Sequence, residues 1–170
     1  MKNLTKAALA ATVALLATPA LAAPAGNADF VAKAKIVKPV TIVNDTDLDF
    51  GIVTMNPSLI SEKVTVGNGA AAVAVCGSAQ LNCQGGGSAD FTLSGGVANQ
   101  VITLTYDTPP AELTHTNGND IVLFTPNTIA NVTLDSAGGG TFSVGGEITV
   151  ETATIDGEYS ADVNVVANYL

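Results

Sequence analysis

The chain has 170 residues, 47% of them hydrophobic and only 12% charged, about half the charge density of an average globular domain, and this length suits a single domain. Abundant Thr, Val and Ile punctuated by 17 Gly argue against an all-helical protein. Six Lys and no Arg stand against 15 Asp plus Glu, a net charge of −9, so the surface repels phosphate and nucleic-acid binding is excluded.

Lys2 and Lys6 precede an apolar run from Ala7 to Ala17, followed by Pro19 and the small-x-small triplet Ala20, Leu21, Ala22. This is the build of a secretory signal peptide over residues 1–22, cleaved between Ala22 and Ala23, and the run is too short for a bilayer span of about 20 residues. The chain is therefore expected to be exported. Residues 23–38 form an N-terminal extension ahead of a body over 39–170. Within the extension Ala28, Phe30, Ala32, Ala34 and Ile36 alternate with Asp29, Val31, Lys33, Lys35 and Val37, the period of a strand with one apolar face. Pro39 interrupts the pattern, because proline cannot donate to a central ladder.

In the body, strand-like runs are predicted at Val40–Val43, Leu48–Thr54, Lys63–Val66, Ala71–Val75, Phe91–Ser94, Val101–Tyr106, Ile121–Phe124, Ala130–Leu134, Glu147–Thr154 and Tyr159–Tyr169. Gly67–Gly69, Gly85–Gly87, Gly95–Gly96, Asn117–Asp120, Gly138–Gly140 and Gly145–Gly146 read as the loops between them. Short strands at this spacing predict an all-β, antiparallel sandwich or small barrel. Asp45, Asp47 and Asp49 fall on alternate residues and offer oxygens to calcium, but the loop pattern lacks its glycine at Phe50 and its bidentate Glu at Asn56. Cys76 and Cys83 are the only cysteines. In an oxidising compartment they are expected to form a disulfide stapling a Gly-rich hairpin, and closing eight residues is worth roughly 2.5 kcal/mol in the chain-entropy picture. In the last run Tyr159, Ala161, Val163, Val165, Ala167 and Tyr169 share one face, with Ser160, Asp162, Asn164 and Asn168 on the other.

Catalytic chemistry is sparse. His115 is the sole histidine, no G-x-S-x-G elbow or phosphate-cradling loop occurs, and three Tyr and five Phe give little aromatic platform for a sugar. No enzyme activity and no cofactor are expected.

The stretch Leu48-Asp49-Phe50-Gly51, then Phe91 after a Gly-rich loop, then Thr141-Phe142-Ser143-Val144-Gly145-Gly146, then Gly157 with Tyr159 before the penultimate Tyr169, resembles a Gram-negative surface domain family of unknown function that is itself similar to the fimbrial subunits of chaperone–usher pili. The resemblance covers about residues 28–170. It implies an incomplete immunoglobulin-like sandwich whose missing strand is supplied first by a periplasmic chaperone and then, at an outer-membrane usher, by the arm of the next copy. On that reading Ala28, Phe30, Ala32, Ala34 and Ile36 are the donor strand. Gly157, Tyr159, Ala161, Val163, Val165, Ala167 and Tyr169 are the groove strand and chaperone contact, and copies join head to tail in an open fibre with a role in adhesion or biofilm. The better-known pilins bridge an early cysteine near the first strand to a later one, whereas both cysteines here lie mid-chain. Two other readings use the same alternation: a self-contained secreted sandwich that binds a surface ligand or polysaccharide, and a small outer-membrane β-barrel, although most runs are shorter than the 9–11 residues a barrel strand needs.

Overall fold

The computed structural model describes residues 26–106 and 112–170; the expected leader and its Ala22–Ala23 junction lie outside them. The chain divides into two units, Met1–Lys35 and Ile36–Leu170. Residues 26–40 carry no strand. In the second unit the described residues are all β: β1 (Thr41–Thr46), β2 (Ile52–Met55), β3 (Ser61–Val66), β4 (Ala74–Cys76), β5 (Leu81–Gln84), β6 (Ala89–Ser94), β7 (Val101–Tyr106), β8 (Glu112–His115), β9 (Ile121–Asn127), β10 (Asn131–Thr133), β11 (Gly140–Glu151), β12 (Tyr159–Ser160) and β13 (Val165–Tyr169).

Every pairing is antiparallel, and the strands form two layers. One is an eight-stranded sheet in the order β1-β6-β11-β9-β8-β12, with β3 added against β11 and β4 against β3. The other comprises β10-β7-β13 and the separate ribbon β2-β5. The long β11 organises both halves, pairing through Gly140–Val144 with β6 and through Gly146–Glu151 with β3, while Gly145–Ile148 pairs with β9.

Alternation along the strands builds the core between the layers. On β11, Phe142, Val144, Ile148 and Val150 all point inward, two residues apart except where Gly146 takes the intervening place. One cluster joins Val64, Val122, Phe124, Ile148 and Val150 to Leu81, with Val53, Met55 and Cys83 against it, so the β2-β5 ribbon faces this half of the large sheet. The second joins Leu93, Phe142 and Val144 to Ile102 and Leu104, with Val132, Val165, Ala167 and Tyr169 against it, so β10-β7-β13 faces the other half. Leu48 packs against both clusters. Burying each such aliphatic or aromatic side chain is worth roughly 1.5–3 kcal/mol.

Several expected boundaries move. The run 48–54 yields a strand only from Ile52, because Gly51 turns the chain at φ 69°, a left-handed value that favours glycine. Gly145 and Gly146 are not a loop; they lie within β11 because other chain passes hard against them. A Cβ on Gly145 would strike the carbonyl oxygens of Val66 and Gly67, and one on Gly146 would strike the Phe124 ring. The final run is not one strand. Tyr159–Ser160 pairs with β8 and Val165–Tyr169 pairs with β7, so the chain changes layer across 161–164. The Cys76–Cys83 disulfide forms as expected, with Cα atoms 5.7 Å apart, yet it staples two layers: Cys76 ends β4 of the large sheet and Cys83 lies in β5 of the ribbon.

Candidate functional site

The L-D-F-G stretch works as a corner. The Asp49 carboxylate accepts from the Gly51 N–H at 2.7 Å, and the Asp49 backbone exchanges hydrogen bonds of 2.9 and 2.8 Å with Gly87. Phe50 meets Phe124 edge-to-face with centroids 5.9 Å apart. The corner delivers the chain from β1 into β2 along the rim of a large cavity of about 1160 Å³.

That cavity is a groove with apolar side chains along it and polar ones in nearly equal measure about them. Leu48, Phe50 and Val53 form one wall, Val122, Phe124, Val144 and Ile148 the floor, and Tyr106, Tyr159, Val163 and Val165 the other wall. At its end β13 is paired in its ladder only with β7 and is an edge strand of its sheet, so among the described residues no strand lies alongside its other edge. Small-molecule pockets occupy roughly 300–1,000 Å³, so this space exceeds them.

Two tyrosines fix the ends of the last run, Tyr159 in the groove lining and Tyr169 outside it. The Tyr169 hydroxyl donates to the Lys38 carbonyl at 2.8 Å and accepts from the Val97 N–H at 3.0 Å, tying the end of β13 to the chain entering β1. At the other end Tyr159 donates to the Ile155 carbonyl at 2.9 Å and lies 4.9 Å from the His115 ring. His115 Nδ1 accepts from the Asn117 N–H at 3.0 Å, so Nε2 carries the proton and donates to the Asp156 carbonyl at 3.2 Å. Gly157 sits at φ 145°, and a Cβ there would collide with His115 Nε2. The histidine thus serves as a clamp on the segment that leads from β11 into β12, a role its sequence neighbourhood gave no sign of. Desolvation and, next, the charge of Asp120 push the Tyr159 hydroxyl above its usual value, while burial does the same to Tyr106.

The structure places the sequence-predicted residues unevenly. Tyr159, Ala161, Val163 and Val165 line the groove together; Ala167 and Tyr169 pack instead against the second core cluster. Gly157 lines the groove mouth beside Tyr159. In the N-terminal extension Phe30 is 89% exposed and Ile36, the first residue of the second unit, is 95% exposed; Ala28, Ala32 and Ala34 are exposed as well. Asp45, Asp47 and Asp49 do not converge: Asp45 accepts from the Thr92 hydroxyl at 2.6 Å, Asp47 from the Asn44 amide at 2.6 Å, and Asp49 holds Gly51. Among the described residues no group of three His, Cys, Asp or Glu side chains is placed to hold a metal ion. No described helix is long and apolar enough to cross a membrane.

No curated protein and no solved structure matches the chain. Residues 40–169 match a domain family described as Domain of unknown function (DUF4402), a span that runs from the residue before β1 to the last residue of β13, and the chain belongs to that family.

Proposed function

We propose that this protein is a structural subunit of an extracellular fimbria, exported through the periplasm and assembled by strand donation on a chaperone–usher route, with a role in adhesion or biofilm. The observation that carries the reading is the groove that reaches Val165 at the edge strand β13: a space larger than a small-molecule pocket, with Leu48, Phe50, Val53, Phe124 and Val163 among its lining, in a chain whose N-terminal segment alternates apolar residues and holds them exposed.

Ala28 to Ile36 spans four two-residue steps, about 27 Å when extended, and β13 from Val165 to Tyr169 offers about 13 Å of edge, so a donated strand would pair with β13 over part of its length and run on past Val163 and Tyr159 with the rest. Neighbours would be held by the backbone ladder along β13, with Phe30 and Ile36 adding roughly 1.5–3 kcal/mol each on burial. The periplasmic chaperone would cover the same edge before assembly, which protects an exposed strand from unspecific pairing.

The test is Phe30→Asp and, separately, Ile36→Asp in the full chain expressed with its export machinery. Each puts a carboxylate against the apolar side chains of the groove, so surface fibres are expected to disappear while folded subunit is still recovered from the periplasm. Intact fibres from either variant would overturn the reading, and Val31→Asp, on the opposite face of the arm, is expected to matter far less.

A further inference from the structure

Five exposed carboxylates are among the residues that line the groove: Asp47 and Asp49 at the L-D-F-G corner, Asp156 and Glu158 just before β12, and Asp162 between β12 and β13. No lysine lines it. Of the residues from Ile36 to Leu170, fourteen are Asp or Glu and two are Lys, and one of those two, Lys63, is bonded to Glu147 between β3 and β11. The arm has the reverse character. Lys33 and Lys35 alternate in sequence with Ala32, Ala34 and Ile36, so an arm extended on donation would carry two ammonium groups about 7 Å apart on the face opposite its apolar residues.

We propose that the groove selects its strand by charge as well as by shape: these carboxylates form a clamp for a lysine-bearing edge, and the occupant they fit is the arm of a second copy of this chain. The inference rests on the strand-donation reading and adds to it a rule for which strand is accepted and in what register. The lysine half of the arm belongs at the Tyr159 end, between Asp156, Glu158 and Asp162, and Asp29 belongs at the far end. Exposed pairs hold weakly one at a time, so the clamp acts chiefly on encounter and on rejection of acidic strands. A low-dielectric cleft lined with one sign of charge raises on-rates by tenfold or more, an effect that salt removes.

The experiment measures binding of a fluorescent peptide of residues 26–38 to the full mature chain, whose own arm carries Ile36→Asp so that it cannot occupy the groove. Four peptides are compared: wild type, Lys33→Gln/Lys35→Gln, Lys33→Glu/Lys35→Glu, and Ile36→Asp. At about 0.01 M salt the glutamate peptide is expected to bind at least about tenfold more weakly than wild type, with the glutamine peptide between them; at about 1 M, where the Debye length is about 3 Å, the three converge. Asp156→Lys/Asp162→Lys in the receiving chain is expected to reverse the low-salt order. If the three lysine-position peptides bind alike at low salt while the Ile36→Asp peptide does not bind, the clamp is wrong and strand donation stands. A glutamate-peptide deficit that the receptor substitutions leave unchanged also overturns the clamp. If no peptide binds, or if the Ile36→Asp peptide binds as well as wild type, both fall.

Discussion

Tyr169→Phe removes one oxygen and leaves the ring in the second core cluster, so it isolates what the hydroxyl does. That hydroxyl donates to the Lys38 carbonyl and accepts from the Val97 N–H, at 2.8 and 3.0 Å. A net intramolecular hydrogen bond is worth about 0.5–1.5 kcal/mol. The Lys38 carbonyl lies at an exposed contact where water replaces the lost donor, while the Val97 N–H is partly buried, so the expected cost is about 1–2 kcal/mol, or about 3–8 °C in Tm for a body of this size. The other tyrosines calibrate the measurement. Tyr106→Phe loses one partly buried bond, to the Ile129 carbonyl at 3.1 Å, and Tyr159→Phe loses one exposed bond, to the Ile155 carbonyl. Urea unfolding of the mature chain should rank the losses Tyr169 first, then Tyr106, then Tyr159, with unchanged slopes. A Tyr169→Phe loss no larger than that of Tyr159→Phe would refute the claim that this hydroxyl pins the end of β13 to the entry of β1.

Replacing Cys76 and Cys83 together with Ala is expected to cost roughly 2.5 kcal/mol in denaturant unfolding, and to increase amide exchange most in β2 and β5, since the bridge joins their ribbon to the large sheet. Acid and alkali should act through different groups. Asp135 accepts from the backbone N–H groups of Gly139 and, next, Ala137 at 2.9 and 2.8 Å, which lower its pKa from 3.8; its contribution is therefore complete above that value and lost as pH falls through the depressed one. Tyr106, raised from 10.0 by burial, contributes stability present below pH 10.0 and lost as pH rises beyond it, a loss that Tyr106→Phe should remove from the alkaline limb of a pH–stability curve. Gly145→Ala forces a methyl against the Val66 and Gly67 carbonyls, backbone that cannot step aside. The expected destabilisation is about 3 kcal/mol, read from the denaturation midpoint.

The all-β class was legible because it depends on nearest-neighbour chemistry. β-Branched residues two apart, broken by glycine, do not satisfy a helix, and Ile102 with Leu104, or Val122 with Phe124, announce an inward face from sequence alone. The disulfide was legible for the same local reason, since the only two cysteines lie seven residues apart. So was the apolar face of the last run, four of whose residues, Tyr159, Ala161, Val163 and Val165, do line the groove.

What stayed hidden depends on which distant segments meet. A glycine pair in a loop and a glycine pair crushed beneath crossing chain carry the same letters, and only the approach of Val66, Gly67 and Phe124 makes Gly145 and Gly146 part of β11. One alternating run can satisfy two sheets in turn, and nothing local tells Tyr159 to pair with β8 and Val165 with β7. His115 looked like an idle base because its partners, Asp156, Gly157 and Tyr159, arrive from some forty residues away. Periodicity is a property of the backbone's own repeat, so the sequence by itself determined strand character and facing. Pairing, layer and the groove are set by which segments the shared core draws together, so tertiary structure alone decided them.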